Sequence, residues 1–364
     1  MTVITRDHLA DGREIIYFDE TTPPERRHDH RPLDPRPPVG QARFDVEGGD
    51  WVAVAAHRQT RTYMPPADQC PLCPSTEERH SEIPDRYEVA VFENRFPSLG
   101  PDLGVLPERG EWGKIYPAYG RCEVITYTPK HEGSFGELSD DQAKLVVDAW
   151  TERTRELSGM EGIRQVFPFE NRGKDIGVTL QHPHGQIYAY SYIPARAQRL
   201  AEESLRFFQN NGGTETLLAN TLKKEREDGS RIIQTGEHFT SYVPFAAHWP
   251  LEAHLVPHRH VRDFTDLSDA ERAELALMTR DLLARFDQLY DSPTPYIAAW
   301  MQAPLDERYR ESSTFHLQVT SPRRAADKLK YLAGSEAAMS AFINDMLPER
   351  IAAMLRLDEK PLGA

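Results

Sequence analysis

In the stretch 178-VTLQHPHGQIYAYSY-192, His182, His184 and Gln186 stand at every second position. On an extended strand such residues share a face. The spacing therefore predicts two imidazoles and a carboxamide on one surface, with Pro183 and Gly185 behind them. Gathering polar groups in this way costs free energy in a core unless each is hydrogen-bonded. A lone histidine is more often a satisfied structural residue than a catalyst. Three spaced polar groups, with a glycine that admits close backbone approach, point instead to function. A neutral imidazole is a nucleophile at neutral pH and can attack phosphorus to give a phosphoramidate. The amide of Gln186 can donate to a phosphoryl oxygen but cannot deliver a proton. The chemistry that fits is transfer away from a leaving group that is already anionic, such as a sugar phosphate.

The elements that would hold these residues can be read along the chain. Strand-like segments are 51-WVAVAA-56, 87-YEVAVFEN-94 and 121-RCEVITYTP-129. A helix is predicted over about 139–158, with Leu145, Val146, Ala149 and Trp150 at helical spacing and a capping box of Ser139 with Gln142. The pattern then recurs. Residues 126–157 and 253–286 each carry a strand ending in proline, a histidine, an aromatic, Leu-Ser-Asp and an amphipathic helix. His131 precedes Leu138 by seven residues, as His260 precedes Leu267. The second helix has its own capping box, Ser268 with Glu271. Each helix is followed by a strand-like segment with histidine, 178–190 and 314–321. The chain reads as a duplicated α+β half of roughly 130 residues. The expected organisation is an N-terminal arm over 1–42, a first half over 43–200 and a second over 201–364. Residues 21–40, rich in Pro, Arg and Asp, should be extended.

Composition narrows the classes. The 364 residues carry 57 acidic and 43 basic side chains, a net charge of −14. Such a chain is a poor binder of nucleic acid or membrane surfaces, so any phosphate site needs a local basic cluster. No apolar run of about 18 residues is present. The N-terminus lacks the layout of a signal peptide, and a cytoplasmic protein is expected. Three cysteines, two in Cys70-Pro-Leu-Cys73, make no disulfide framework. That pair suits a metal site, a redox pair or two buried thiols.

His182-Pro-His184-Gly-Gln186-Ile-Tyr188 resembles the active-site strand of the galactose-1-phosphate uridylyltransferase family, a branch of the histidine triad superfamily. Matching pieces in the same order are 57-HRQTR-61, 70-CPLC-73, 92-FENRFPSL-99, 127-YTPKH-131, 168-PFENRG-173, 257-PHRHV-261 and 330-KYLAG-334. The resemblance implies a duplicated histidine-triad-like unit, an antiparallel sheet with helices packed against it. It implies that His184 is the nucleophile, that Gln186 binds the phosphoryl group and that Asn171 orients the imidazole. Thr179 matches a position near the phosphate. Arg58, Arg61, Asn94 and Phe96 fall in the nucleotide-sugar pieces, and Lys330, Tyr331 and Glu336 in the hexose-phosphate piece. Without the resemblance the arginines could be surface cations and the asparagines turn residues.

The resemblance also places structural zinc on Cys70, Cys73, His131 and His182; sequence alone gives only the Cys pair. A second metal, known in the family on one Glu and three His, is not expected. Its positions align with Leu200, Met301, His316 and Gln318, a poor set for a hard ion. The cluster His248, His254, His258 and His260 reads as loop and strand histidines. The expected activity is ping-pong exchange of UMP between UDP-glucose and galactose 1-phosphate through a uridylyl-histidine. The expected partners are UDP-hexose, hexose 1-phosphate and a second copy in a homodimer. The rivals are a nucleotide-sugar phosphorylase, a histidine-triad hydrolase and a non-catalytic zinc-stabilised nucleotide binder.

Overall fold

The computed structural model describes residues 2–36, 38, 40–60, 64–103 and 114–361. Their main feature is an eleven-stranded sheet. In chain order its strands are β1 (Val3–His8), β2 (Glu14–Asp19), β3 (Val89–Glu93), β4 (Gly120–Thr126), β5 (Gln165–Arg172), β6 (His184–Tyr190), β7 (Ile232–Thr235), β8 (Phe239–Tyr242), β9 (Leu251–Pro257), β10 (Tyr296–Met301) and β11 (His316–Ser321). The helices used below are α1 (Asp140–Ser158), α2 (Ala195–Asn210), α3 (Leu217–Asp228) and α4 (Asp269–Asp287).

The sheet order is β1-β2-β3-β4-β6-β5-β10-β11-β9-β8-β7. It contains one pattern twice. In the first half β3, β4, α1, β5 and β6 follow in sequence, and the strands lie β3-β4-β6-β5. In the second β8, β9, α4, β10 and β11 follow in sequence and lie β8-β9-β11-β10. The halves join edge to edge through the antiparallel pair β5–β10, where Asn171 faces Ile297. The expected duplicated α+β unit is thus the architecture of the molecule.

α1 and α4 cover one face together. Asp148 pairs with Arg272 at 3.2 Å, and Asp140 with Arg280. Beneath them the aromatics form a ladder across the halves. Phe135 stacks on Trp150 (5.6 Å), Trp150 meets Phe264 (5.8 Å), Phe264 meets Trp300 (5.1 Å), and Trp300 stacks on Phe315 (5.3 Å). Such pairs add roughly 0.5–1.5 kcal/mol each beyond area burial. β3, Val-Ala-Val-Phe-Glu, is buried at every position, as a β-branched and aromatic strand covered on both faces should be. β6 alternates instead. Gly185, Ile187 and Ala189 are buried, while His184, Gln186, Tyr188 and Tyr190 are half-buried on the other face. That face lines the site.

The structure departs from the sequence reading in several places. The strand expected over 178–190 begins only at His184. His182 precedes it, so His182 and His184 do not share a strand face. The capping box expected on α1 is half formed. Ser139 Oγ accepts from the Gln142 amide N–H at 3.2 Å, but the Gln142 side chain donates to the carbonyls of Glu88 (2.9 Å) and Tyr127 (2.7 Å). Two carbonyls without helical partners outcompete one cap N–H. The Ser268–Glu271 box on α4 is complete. The strand expected over 51–56 spans Asp50–Val54, paired with Gln41–Asp45, which also pairs Ile115–Pro117. It leads into the 3-10 turn Ala56–Thr60 that carries Arg58. Of the expected arm, residues 3–19 form the β1–β2 hairpin on the sheet. The following stretch is extended and tied down by Arg26 to Asp19 (2.6 Å), Arg31 to Glu82 (3.0 Å) and Arg36 to Glu93 (2.6 Å). Among the described residues no helix is long and apolar enough to cross a membrane.

Candidate active site

Four donors meet where the loop after β2, the loop after β4 and the approach to β6 converge. Cys70, Cys73, His131 and His182 place their ligand atoms within 4.8 Å of one another. Cys73 Sγ lies 3.5 Å from Nδ1 of both His131 and His182, and Cys70 Sγ lies 3.7 Å from His182 Nδ1. A tetrahedral ion with sulfur at about 2.3 Å and nitrogen at about 2.0 Å would have S···N edges of about 3.5 Å. The donor set and its spacing therefore fit a metal ion. Both imidazoles present Nδ1. His182 Nε2–H donates to the Thr128 carbonyl at 2.8 Å, and the Tyr87 hydroxyl donates to that carbonyl at 2.8 Å. These are the outer bonds that fix a ligating ring. Burial lowers the His182 pKa to about 4, which keeps the imidazole in its neutral, ligating form. Tyr87 was not singled out from sequence; it reads there as an ordinary strand aromatic.

His184 follows two residues later with a different task. Its Nδ1 lies 2.7 Å from the His182 carbonyl. That bond makes Nδ1 the donor and leaves the lone pair on Nε2. Burial lowers its pKa, so the ring is neutral at pH 7. The orienting group found here is thus the His182 backbone rather than Asn171, which stands on β5 and lines the cavity. Gly185 has a packing reason. A Cβ there would lie 2.2 Å from the Tyr127 hydroxyl and 2.9 Å from the Phe169 carbonyl.

A cavity of about 310 Å³ opens on His184. It brings together Arg58, Asn94, Phe96, Asn171, Thr179 and Gln186 from the expected site residues. Gln186 Oε1 accepts from the Tyr188 hydroxyl at 3.2 Å, which leaves the amide N–H groups free to donate. Arg58 reaches the same hydroxyl at 3.4 Å. Asn94 is both a lining and a turn residue: its Oδ1 accepts from the Phe96 N–H at 2.9 Å. Leu72, Phe92, Val124 and Phe169 supply apolar wall that carries no signal in sequence beyond being hydrophobic. Arg61 lies outside the described residues.

Lys330, Tyr331 and Glu336 are not brought to this cavity. Lys330 is buried and bonds Glu336 at 2.7 Å, while Tyr331 is 76% exposed. In the second half, Leu200, Met301 and His316 do meet, around a cavity of about 50 Å³. Gln318 lies there too, accepting from Arg196 at 2.7 Å. One imidazole, a thioether and an amide beside a guanidinium do not suit a hard ion. The other second-half histidines are dispersed: His254 pairs with Glu252, His258 with Thr240 and His260 with the Ser313 carbonyl.

Residues 36–194 match the N-terminal domain model of galactose-1-phosphate uridyl transferase, and residues 201–362 its C-terminal domain model. The galactose-1-phosphate uridylyltransferase of Streptomyces lividans is 44% identical over 327 residues, covering 87% of each chain. That of Thermotoga maritima is 34% identical, over 88% of this chain and 98% of its own. A solved uridylyltransferase aligns with a TM-score of 0.77 at 29% identity, over 87% of this chain and 97% of that one.

Proposed function

The chain belongs to the galactose-1-phosphate uridyl transferase family, and from that membership we propose that it exchanges UMP between UDP-glucose and galactose 1-phosphate through a uridylyl-His184 intermediate. The observation that carries this reading is the His184 tautomer. Its Nδ1–H is committed to the His182 carbonyl, and its Nε2 lone pair is left at the cavity wall.

Nε2 attacks the α-phosphorus. An N–P bond forms, the bond to the bridging oxygen breaks, and hexose 1-phosphate leaves as an anion without needing a proton. The ring becomes cationic, and the His182 carbonyl stabilises it through Nδ1–H. Gln186 and Arg58 donate to the equatorial oxygens, where fixed donors are worth most. Thr179 lies near them, and Asn94 and Phe96 hold the nucleoside. A sugar phosphate oxygen then attacks phosphorus, and the N–P electron pair returns to Nε2.

The ion held by Cys70, Cys73, His131 and His182 is zinc in this reading, in a closed and therefore structural site. His182 gives its ring to the ion and its carbonyl to His184, so the metal site sets the angle of the nucleophile. The protein acts in the cytoplasm as a homodimer. The exposed segment around Tyr331 then serves the sugar-phosphate end of the partner's cavity, with the Lys330–Glu336 pair shaping its turn.

The test is the protein's mass after separate incubation with UDP-glucose, UDP-galactose and ADP-glucose. A single uridylyl adduct from the UDP-sugars, mapped to His184, supports the reading. An adenylyl adduct would move the activity to another nucleotide, and an adduct on another residue would remove His184 from its role.

A further inference from the structure

Arg13 stands in the turn between β1 and β2, ahead of the residues that match the family model, which begin at 36. Its side chain is fully buried. Burying a guanidinium is costly unless its donors are satisfied. Here all three nitrogens have partners. Nε–H donates to Asp11 at 2.7 Å, Nη1–H to the Glu93 carbonyl at 3.0 Å, and Nη2–H to the Glu82 carboxylate. A tight turn delivers the side chain. The Leu9 N–H donates to the Arg13 carbonyl at 2.7 Å, and Gly12 (φ 81°) takes the left-handed conformation that glycine allows.

The two distant partners belong to the wall of the cavity that opens on His184. Glu82 lines it, in the loop after Cys73. Glu93 immediately precedes Asn94, Arg95 and Phe96, which line it in the turn closed by Asn94 Oδ1. Arg13 therefore ties together two stretches of the same wall. Arg31, from the arm that follows the hairpin, adds a second cation on Glu82 at 3.0 Å, and Arg95 reaches the same carboxylate at 3.5 Å. Burial alone would raise the Glu82 pKa, but Arg13 and Arg31 outweigh it and hold it below the ordinary carboxylate value. Glu82 is thus an anion fixed between cations of the N-terminal segment.

We propose that Arg13 is a positioning residue for nucleotide binding, and that the N-terminal hairpin is through it a working part of the site. Arg13 touches no substrate. It sets the spacing between Glu82 and the Asn94–Phe96 turn, which hold the nucleoside end in the reading above, on which this proposal rests. A guanidinium suits the task because its planar fork fixes several acceptors at once, in directions that a lysine does not reproduce. Without it Glu82 is a buried carboxylate with one cation fewer, and it must turn to find water or another donor. The effect is confined to one end of the substrate, since neither stretch carries His184, Gln186 or Arg58.

The experiment reads the two ends separately. Calorimetric titration with UMP measures the nucleotide end. Discharge of the uridylylated protein against galactose 1-phosphate concentration measures the other. Arg13→Met should bind UMP about tenfold more weakly, the loss of one charge-assisted hydrogen bond. Its half-saturation by galactose 1-phosphate should not change, because the uridylyl group is then held by its bond to His184. Arg26→Met separates positioning from general loosening. Arg26 holds the same segment through Asp19 at 2.6 Å and the Arg86 carbonyl at 2.9 Å, and bonds neither Glu82 nor Glu93 among the described residues. It should lower the unfolding temperature and leave UMP binding unchanged. Should Arg13→Met fail to fold, Glu82→Gln keeps the side chain's shape without its charge and should show the same selective loss. Unchanged UMP affinity in the folded variants, or a loss as large in Arg26→Met, overturns the positioning role and leaves the nucleotide reading standing. No UMP binding by the unaltered protein overturns that reading and this proposal with it.

Discussion

His184 and His316 begin equivalent strands of the two halves, β6 and β11, and each presents Nδ1 to the carbonyl two residues before it, at 2.7 Å to His182 and 2.9 Å to Thr314. Each is followed at i+2 by glutamine. The outcomes at Nε2 differ. The Gln186 carboxamide is held by Tyr188, away from His184. The Gln318 carboxamide is held by Arg196 and places its nitrogen 3.0 Å from His316 Nε2. The second imidazole is therefore capped by a neighbouring donor. His184→Gly should abolish the uridylyl adduct, and His316→Ala should keep it. The latter leaves Gln318 without its partner and should cost roughly 1–3 kcal/mol of stability. Peptide mapping of the adduct and thermal unfolding check both.

The metal prediction concerns stoichiometry and coupling. Protein purified without added metal should carry close to one zinc per chain by elemental analysis. Cys73→Ser should lose it and unfold at lower temperature, because a closed zinc site contributes folding free energy. His182→Asn should lose metal and slow uridylylation as well, since the His182 carbonyl orients His184. Unchanged zinc in Cys73→Ser would refute the assignment.

Gly185 and Tyr127 make a paired prediction. The Tyr127 hydroxyl is buried without a hydrogen-bond partner among the described residues, and it is the nearest atom to a Cβ on Gly185. Removing an unsatisfied buried hydroxyl is neutral or favourable, so Tyr127→Phe should match or exceed the parent in stability. Gly185→Ala should lose about 1–3 kcal/mol by overpacking. The double variant should recover part of that loss, though the Phe169 carbonyl still crowds the site. Chemical denaturation of the four proteins measures the coupling.

These contacts show what sequence carries and what it does not. The repeat was legible because local chemistry repeats: Leu-Ser-Asp caps a helix wherever it occurs, and α1 and α4 both start there. The strand position of His184 followed from alternation. The position of His182 did not. Alternation extended six residues too far, to 178 rather than His184, because Pro183 and the donors at Cys70, Cys73 and His131 draw the His182 ring out of the strand. Tyr87 was invisible for another reason: it matters through a neighbour distant in sequence, the Thr128 carbonyl.

Glu170 sets a pH dependence. It is buried between β5 and β10, accepting from the Tyr296 hydroxyl at 3.2 Å, and its pKa rises from 4.5 to about 8, chiefly through burial. The folded protein thus keeps a proton that the unfolded chain releases above its own pKa. Stability should fall as pH rises from about 4.5 to about 8, by up to about 1.4 kcal/mol per pH unit from this group, and flatten beyond. Glu170→Gln should remove that component and be more stable than the parent at pH 8, with a smaller gain at pH 5. Denaturation midpoints at several pH values test it; parallel curves for the two proteins would show that Glu170 is ionised in the fold.

The last prediction concerns Tyr331 and the second copy of the chain. Tyr331, Met339 and Leu347 are 76%, 77% and 71% exposed, on a segment away from the chain's own cavity. If that segment completes the partner's site, Tyr331→Ala should fold normally and form the uridylyl adduct. It should discharge that adduct to galactose 1-phosphate about tenfold more slowly. Mixing it with His184→Gly gives the decisive measurement. His184→Gly alone has no competent site and Tyr331→Ala alone only a slowed one, yet a mixed dimer pairs an intact His184 in one subunit with an intact Tyr331 from the other. With random exchange half the dimers are mixed and each has one good site of two, so activity should return to about a quarter of the parent. Recovery of an untagged variant together with an affinity-tagged one after mixing confirms that subunits have exchanged. No recovery after demonstrated exchange, or a monomer at working concentration, would place Tyr331 outside the site and return the sugar-phosphate end to residues of a single chain.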